Sequence, residues 1–177
     1  MKMLRSLATT IHKRMNDNGV AAPSVDVIAY SLNIISNTIS IVLFSLMIGL
    51  LTGEPGRTGL LLVVFATIRF LTGGYHLKSG WLCIVVSTIA MSVLPHIRMN
   101  DEWTIVLTAA AMASVLIFAP SNYDKYARIS PKYYPLLKII STFLVAINFF
   151  VVYDLLAIAF IVQAVLLPFK EKENERG

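Results

Sequence analysis

The chain has 177 residues, of which 56% are hydrophobic and 14% charged, with a mean hydropathy of +0.72 and a formal net charge of +5. A soluble domain carries about 25% charged residues. Here the apolar residues come in long runs, so the composition excludes an ordinary soluble domain and reads as an all-α integral membrane protein.

The apolar runs are too many for a signal peptide, and the opening MKMLRSLATTIHKRMNDNGV is too polar to be a signal core. Within it, Leu4, Leu7, Ala8 and Ile11 share one helical face, while Lys2, Arg5, His12, Lys13 and Arg14 lie elsewhere. That pattern predicts an amphipathic arm over residues 2–18, lying on an anionic membrane surface. Gly19 and Pro23 end it.

A first span is expected at about 27–51. Its first half is polar for a span (Ser31, Asn33, Ser36, Asn37, Thr38, Ser40), which suits a helix facing the bundle interior. TGEPGRTG then forms a turn holding Glu54, Pro55 and Arg57. A short second span covers about 58–71, with Arg69 near its end, and the glycine-rich TGGYHLKSG follows at residues 72–80. The third span is expected at about 81–94 and the fourth at about 103–119, stopped by Pro120. After the polar stretch PSNYDKYARISPKYYP, residues 136–169 are too long for one span. They suit a hairpin of two short helices, 136–152 and 154–168, with its corner at Tyr153-Asp154. Asp154 is then expected in a turn at the outer surface, not as a buried proton carrier. The reading is a single membrane domain, 1–177, with about six spans and the arm.

Charge tests the topology. With both ends cytoplasmic, thirteen of the fifteen Lys and Arg residues fall inside, and only Arg57 and Arg98 fall outside. Cytoplasmic loops carry such an excess. In a membrane protein the basic balance therefore reports orientation, and no nucleic-acid partner is called for; the lipid bilayer is the partner the composition demands.

Most chemical content lies between Arg69 and Cys83. The chain's one cysteine, too few for a disulfide framework, stands seven residues after His76, at the cytoplasmic membrane surface on this topology. A thiol and an imidazole are the minimum for covalent acyl transfer: the histidine takes the thiol proton and the thiolate attacks a carbonyl. On one continuous helix the two would stand about 10 Å apart in rise, too far for a hydrogen bond of about 3 Å. Gly73, Gly74 and Gly80 permit an irregular chain that folds His76 back over the start of the third span, with Cys83 in its first turn and Ser79 as cap. A cysteine in a span is also commonly an apolar filler, and Arg69 an interface anchor. His12 and His96 lie in separate places, so no metal site is expected. No nucleotide-binding or serine-hydrolase pattern is present either. No cofactor is called for.

Arg69, Gly73, Gly74, His76 and Cys83 together resemble the AgrB family of membrane peptidases. The likeness extends to the basic arm, the polar first span, Ala119-Pro120 with its Lys-rich loop, and the closing hydrophobic pair. The resemblance implies a cysteine endopeptidase in the plasma membrane of a Gram-positive bacterium. Such an enzyme cuts the acidic C-terminal tail from a short amphipathic signalling propeptide. It implies that His76 is the base and that Cys83 forms a thioester. An internal Cys or Ser of the peptide then closes a thiolactone or lactone ring, giving a quorum-sensing signal. A homodimer accords with the resemblance, though no motif demands one. Many relatives carry an acid in the first span where this chain has Asn33, which leaves the third catalytic member open, with Asn33 as a candidate. Lys125, Arg128, Lys132 and Lys138 could receive the acidic tail. Two other readings stand beside this one: a small transporter or channel-like protein with a structural cysteine, and a scaffold that gathers a peptide at the membrane.

Overall fold

The computed structural model describes residues 2–75, 79–122 and 129–169. Among these residues the regular elements are helices. In chain order they are α1 (Lys2–Asp17), α2 (Val25–Leu51), α3 (Pro55–Thr72), α4 (Gly80–Val93), α5 (Asp101–Phe118), α6 (Tyr134–Ala146), α7 (Asn148–Val151) and α8 (Asp154–Leu166). A 3-10 turn at Leu94–His96 extends α4, and another at Pro131–Tyr133 precedes α6. Four stretches are long and apolar enough to cross a membrane: Val25–Leu51, Pro55–Thr72, Asp101–Phe118 and Pro131–Val151. Gly80–His96 and Asp154–Leu166 are apolar but shorter. The fold is of the all-α membrane type.

Helix ends follow local chemistry. Helix α3 begins at Pro55, three residues before the expected start, because proline suits a first helical position and lacks a donor that would go unmet there. This draws Arg57 out of the expected turn and into the helix. Asn100 caps α5, its side chain accepting from the Trp103 backbone N–H at 3.1 Å. Asp101 and Glu102 add negative charge to that first turn. Between α7 and α8 the chain turns at Val152, which adopts a left-handed φ of 48°. There the Tyr153 N–H donates to Asn148 Oδ1 at 3.0 Å.

The chain forms two compact units, Met1–Phe44 with Leu77–Thr88, and Ser45–His76 with Ile89–Gly177. In the first, α1 is fixed to the segment ahead of α2. His12 Nδ1 lies 2.8 Å from the Pro23 carbonyl oxygen and its Nε2 lies 3.1 Å from Asn16 Nδ2. Ala8 is fully buried, Leu4 and Ile11 are half-buried, and Leu7 is exposed.

In the second unit, α3, α5, α6 and α8 enclose a core of Ile68, Ala111, Val115, Ala119, Val145, Phe160, Ala164 and Leu167. Leu61, Met91, Leu155 and Ala159 form a further cluster. Small residues let the backbones approach, as helix association in lipid requires, since a lipid tail is as apolar as leucine. Helix α8 is the most enclosed: Asp154, Leu155, Ala157, Ile158, Ala159, Phe160, Gln163 and Ala164 are all buried. Large apolar side chains such as Val63, Phe70, Ile117, Phe143 and Phe150 stay outside, the distribution expected when the solvent is hydrocarbon.

At the start of α3, Arg57 makes five hydrogen bonds. It grips Asp154 with both ends of its guanidinium (3.0 and 3.2 Å), and it donates to the carbonyls of Pro95 and Ile97 (2.9 Å each) and to the Tyr153 hydroxyl (3.3 Å). Asp154 therefore differs from expectation. It opens α8 as foreseen, but it is buried and ion-paired instead of lying on the surface. The partner is 97 residues away in sequence, so local pattern could not reveal it.

Candidate functional site

Helix α4 carries the thiol. Its first residue is Gly80, and Ser79 precedes it as a cap whose Oγ accepts weakly from the Leu82 N–H at 3.4 Å. The Cys83 N–H donates to the Ser79 carbonyl at 3.0 Å, so Cys83 closes the first turn. The thiol is half-buried, with Sγ 4.0 Å from Ser87 Oγ. Helix N-termini concentrate unmet N–H groups and a partial positive charge, which favour an anion nearby.

Gly80 serves this helix differently from the flexible role expected of it. A Cβ at residue 80 would stand 3.0 Å from Asn37 Nδ2 and 3.5 Å from Asn33 Nδ2. The missing side chain admits two primary amides of α2 to the head of α4. Asn33 thus lies beside the helix that holds the thiol, and Asn37, one turn further along α2, lies closer still to Gly80. The sequence marked Asn37 only as one of several polar residues in the first span.

The second part of the site is the chain leaving α3. Gly73 caps the helix with φ 69°, its N–H returning to the Arg69 carbonyl at 2.9 Å, and Gly74 follows with φ 120°. Side chains are disfavoured at such angles, which is the physical reason for two successive glycines. Backbone bonds then anchor the strand. Gly74 N–H donates to the Ser121 carbonyl (2.9 Å), Ser121 N–H to the Thr72 carbonyl (2.9 Å), and Tyr75 N–H to the Leu166 carbonyl (3.2 Å). The Tyr75 ring tilts against Phe169, centroids 6.2 Å apart.

Arg69 is more than an interface anchor. Its guanidinium turns inward, donating to the Tyr75 carbonyl at 2.6 Å and to Gln163 Oε1 at 3.3 Å. Gln163 in turn donates from Nε2 to the Gly73 carbonyl (2.6 Å) and to Thr72 Oγ1 (2.9 Å). Gln163 was missed in the sequence, where it sits inside the apolar run of the last span. Its one visible signal was being the lone amide of that run, since polar residues in a span seek partners on other helices.

His76 lies outside the described residues, as do Lys125 and Arg128. Lys132 is exposed with Nζ 4.9 Å over the Tyr133 ring, and Lys138 sits half-buried on α6. The other histidines have structural partners: His12 as described, and His96 through Nε2 to Thr52 Oγ1 at 3.1 Å. Among the described residues no group of three His, Cys, Asp or Glu could hold a metal ion.

Apolar helices of spanning length, buried polar side chains that satisfy one another, and a thiol at the head of a helix define a multi-helix protein of the membrane. The family model for accessory gene regulator B, AgrB, matches residues 4–169, and the chain belongs to that family. The family takes part in accessory gene regulation and quorum-sensing peptide processing. Comparison with curated proteins and with solved structures found no match.

Proposed function

We propose that this chain is a membrane-embedded cysteine endopeptidase that removes the C-terminal tail of a short signalling propeptide and promotes its ring closure. One observation carries the reading: the chain's one cysteine stands in the capped first turn of α4, seven residues after His76, in a member of the AgrB family.

In this reading His76 takes the Cys83 proton, and the thiolate attacks the carbonyl at the cleavage site. The carbon–nitrogen bond breaks as the imidazolium returns the proton to the leaving amine, and the peptide is left as a thioester on Cys83. An internal Cys or Ser of the peptide then attacks that thioester, expels the Cys83 thiol and closes a thiolactone or lactone. Asn33 is the candidate third member. An amide can orient an imidazole, although it cannot stabilise imidazolium as a carboxylate does. Lys125, Arg128, Lys132 and Lys138 attract the acidic tail, and the α1 arm keeps the substrate at the bilayer. Both termini face the cytoplasm of a Gram-positive cell, with the site at the inner surface.

Mutagenesis tests the chemistry. Cys83→Ala and His76→Ala each abolish propeptide cleavage while membrane insertion persists, and Cys83→Ser retains almost none, because a hydroxyl is far less acidic than a thiol. Replacing His12 or His96 leaves cleavage nearly intact. With a peptide lacking its internal nucleophile, a covalent enzyme–peptide species accumulates, and hydroxylamine, which attacks thioesters, releases it. Cleavage by Cys83→Ala would remove the peptidase reading. Reporter fusions after Lys78 and Asn100 fall on opposite sides of the membrane; the same side for both would refute the topology. Neutralising all four basic residues weakens substrate binding most at low salt, and unchanged processing there would remove their role.

A further inference from the structure

Among the described residues, four carboxamides stand in the apolar helices α2 to α8: Asn33, Asn37, Asn148 and Gln163. Two of them are ordinary helix joints. Asn148 and Gln163 are fully buried and bond side chains on other helices, Asn148 Nδ2 to Thr108 Oγ1 and Gln163 Nε2 to Thr72 Oγ1, both at 2.9 Å. Asn33 and Asn37 differ. Both are half-buried on α2, and neither has a hydrogen-bond partner among the described residues. An unmet polar group in a span is costly. A joint between helices would satisfy these amides, so packing does not explain them.

The two stand one turn apart on one face of α2, with a rise of about 6 Å between them. Opposite them is Gly80, where a Cβ would stand 3.0 Å from Asn37 Nδ2 and 3.5 Å from Asn33 Nδ2. Both amide nitrogens therefore border the space that a glycine leaves at the head of α4. Cys83 lies three residues further on the same face of α4, where neighbouring Cβ positions are about 5–6 Å apart. Helical side chains lean toward the N-terminus, which brings the thiol over that space. All four residues belong to the first compact unit.

A ligand for this pair needs acceptors about 6 Å apart. An extended peptide has them, since the carbonyls on one side of a strand recur every second residue, at about 6.6–6.8 Å. A helical segment does not, because its carbonyls are already bonded internally. We propose that Asn33 and Asn37 form the subsite that holds the substrate peptide extended beside Cys83, each Nδ2 donating to a backbone carbonyl, the two carbonyls two residues apart. The inference rests on the peptidase reading above and adds the conformation in which the substrate meets the thiol. Bonds to backbone select an unfolded segment and read no side chains. Asn33 Oδ1 stays free for the orienting role given to it above.

The test uses the full chain with Cys83→Ala in lipid vesicles, so that peptide is bound without being cut. The probe is a fluorescein-labelled synthetic propeptide, amphipathic with an acidic C-terminal tail. One peptide bond at a time, near the cleavage site, is replaced by an ester, whose carbonyl is a poorer acceptor. Two replacements, two residues apart, each weaken binding about 3- to 10-fold, the worth of one hydrogen bond. Asn33→Ser and Asn37→Ser weaken binding of the unmodified peptide to the same degree. A serine hydroxyl is too short to reach and bonds its own helix, as Ser31 does to the Val27 carbonyl at 3.0 Å. Each serine variant also abolishes the penalty of one ester and leaves the other, a coupling that a general loss of packing does not produce. Gly80→Ala weakens binding with both amides in place, because its methyl group fills the space. A flat ester scan would overturn the proposal, and that measurement needs no change in α2. Ester penalties that persist in both serine variants would overturn it too, leaving the amides to water or lipid. The two readings fail separately: cleavage of the probe by the Cys83→Ala chain removes the peptidase, and a flat scan removes the subsite.

Discussion

Helix α3 carries two arginines, Arg57 in its first turn and Arg69 in its last, and both reach α8. They do so by different chemistry. Arg57 meets a carboxylate, Asp154, in a bidentate pair whose side chains are 14% and 11% exposed. Arg69 meets a neutral amide and a backbone carbonyl. The first arrangement closes a corner where Pro95, Ile97, Tyr153 and Asp154 converge. The second arranges a turn whose next residue is His76. A full charge pair suits a joint that only has to hold. An amide network has a defined donor and acceptor at each end, so it fixes orientation as well as proximity. The same residue type on one helix therefore closes a charged corner at one end and holds a turn of backbone through neutral acceptors at the other.

The largest effect that would break this contrast is at the first joint. Arg57→Met leaves Asp154 buried and unpaired, which costs about 3–5 kcal/mol. Unfolding in mixed detergent micelles should show that loss, while cleavage per folded molecule stays near wild type. Adding Asp154→Leu should recover much of the stability, because the uncompensated charge is gone. At the other end, Arg69→Lys keeps the charge but cannot span Gln163 and the Tyr75 carbonyl together. Losing one charge-assisted hydrogen bond costs about 1.5–3 kcal/mol. Cleavage per folded molecule should fall as well, about tenfold or more, and a loss of stability alone would erase the distinction between the two ends. Gly74→Ala forces a side chain into a left-handed backbone at φ 120°, a strain of about 1–3 kcal/mol. It should lower cleavage with Arg69→Lys and not with Arg57→Met. The smallest effect belongs to the Arg98–Glu54 ion pair, where Arg98 is half exposed to its surroundings. Arg98→Gln should change stability by about 0.2–1 kcal/mol; a loss as large as that of Arg57→Met would mean that burial is not what separates the two.

Much of the fold was legible because membrane helices announce themselves. Long apolar runs, Pro95 and Pro120 as stops, and the Tyr153-Asp154 corner are local signals. So were the Ser79 cap and the place of Cys83 in the first turn of α4. The start of α3 was misjudged because apolar content, rather than Pro55, set the boundary, and Arg57 was left in a turn as a result. The joints were not legible. Arg57 and Asp154 are 97 residues apart, and Arg69 and Gln163 are 94 apart. Periodicity carries no information at that range. The closeness of Asn33 and Asn37 to Gly80 was hidden for the same reason, although the polar face of the first span hinted that something would meet it.

The strand after α3 is tied to Ser121, Gln163 and Leu166, and Asn122 is tied by its Nδ2 to the Phe169 carbonyl at 2.9 Å. All of these anchors lie downstream of it, the latest by about a hundred residues. A ribosome releases them last. The turn that leads to His76 therefore cannot set until α8 has left the insertion machinery and docked. A nascent chain therefore carries His76 and Cys83 long before it carries the residues that tie down the backbone from Gly73 to Tyr75.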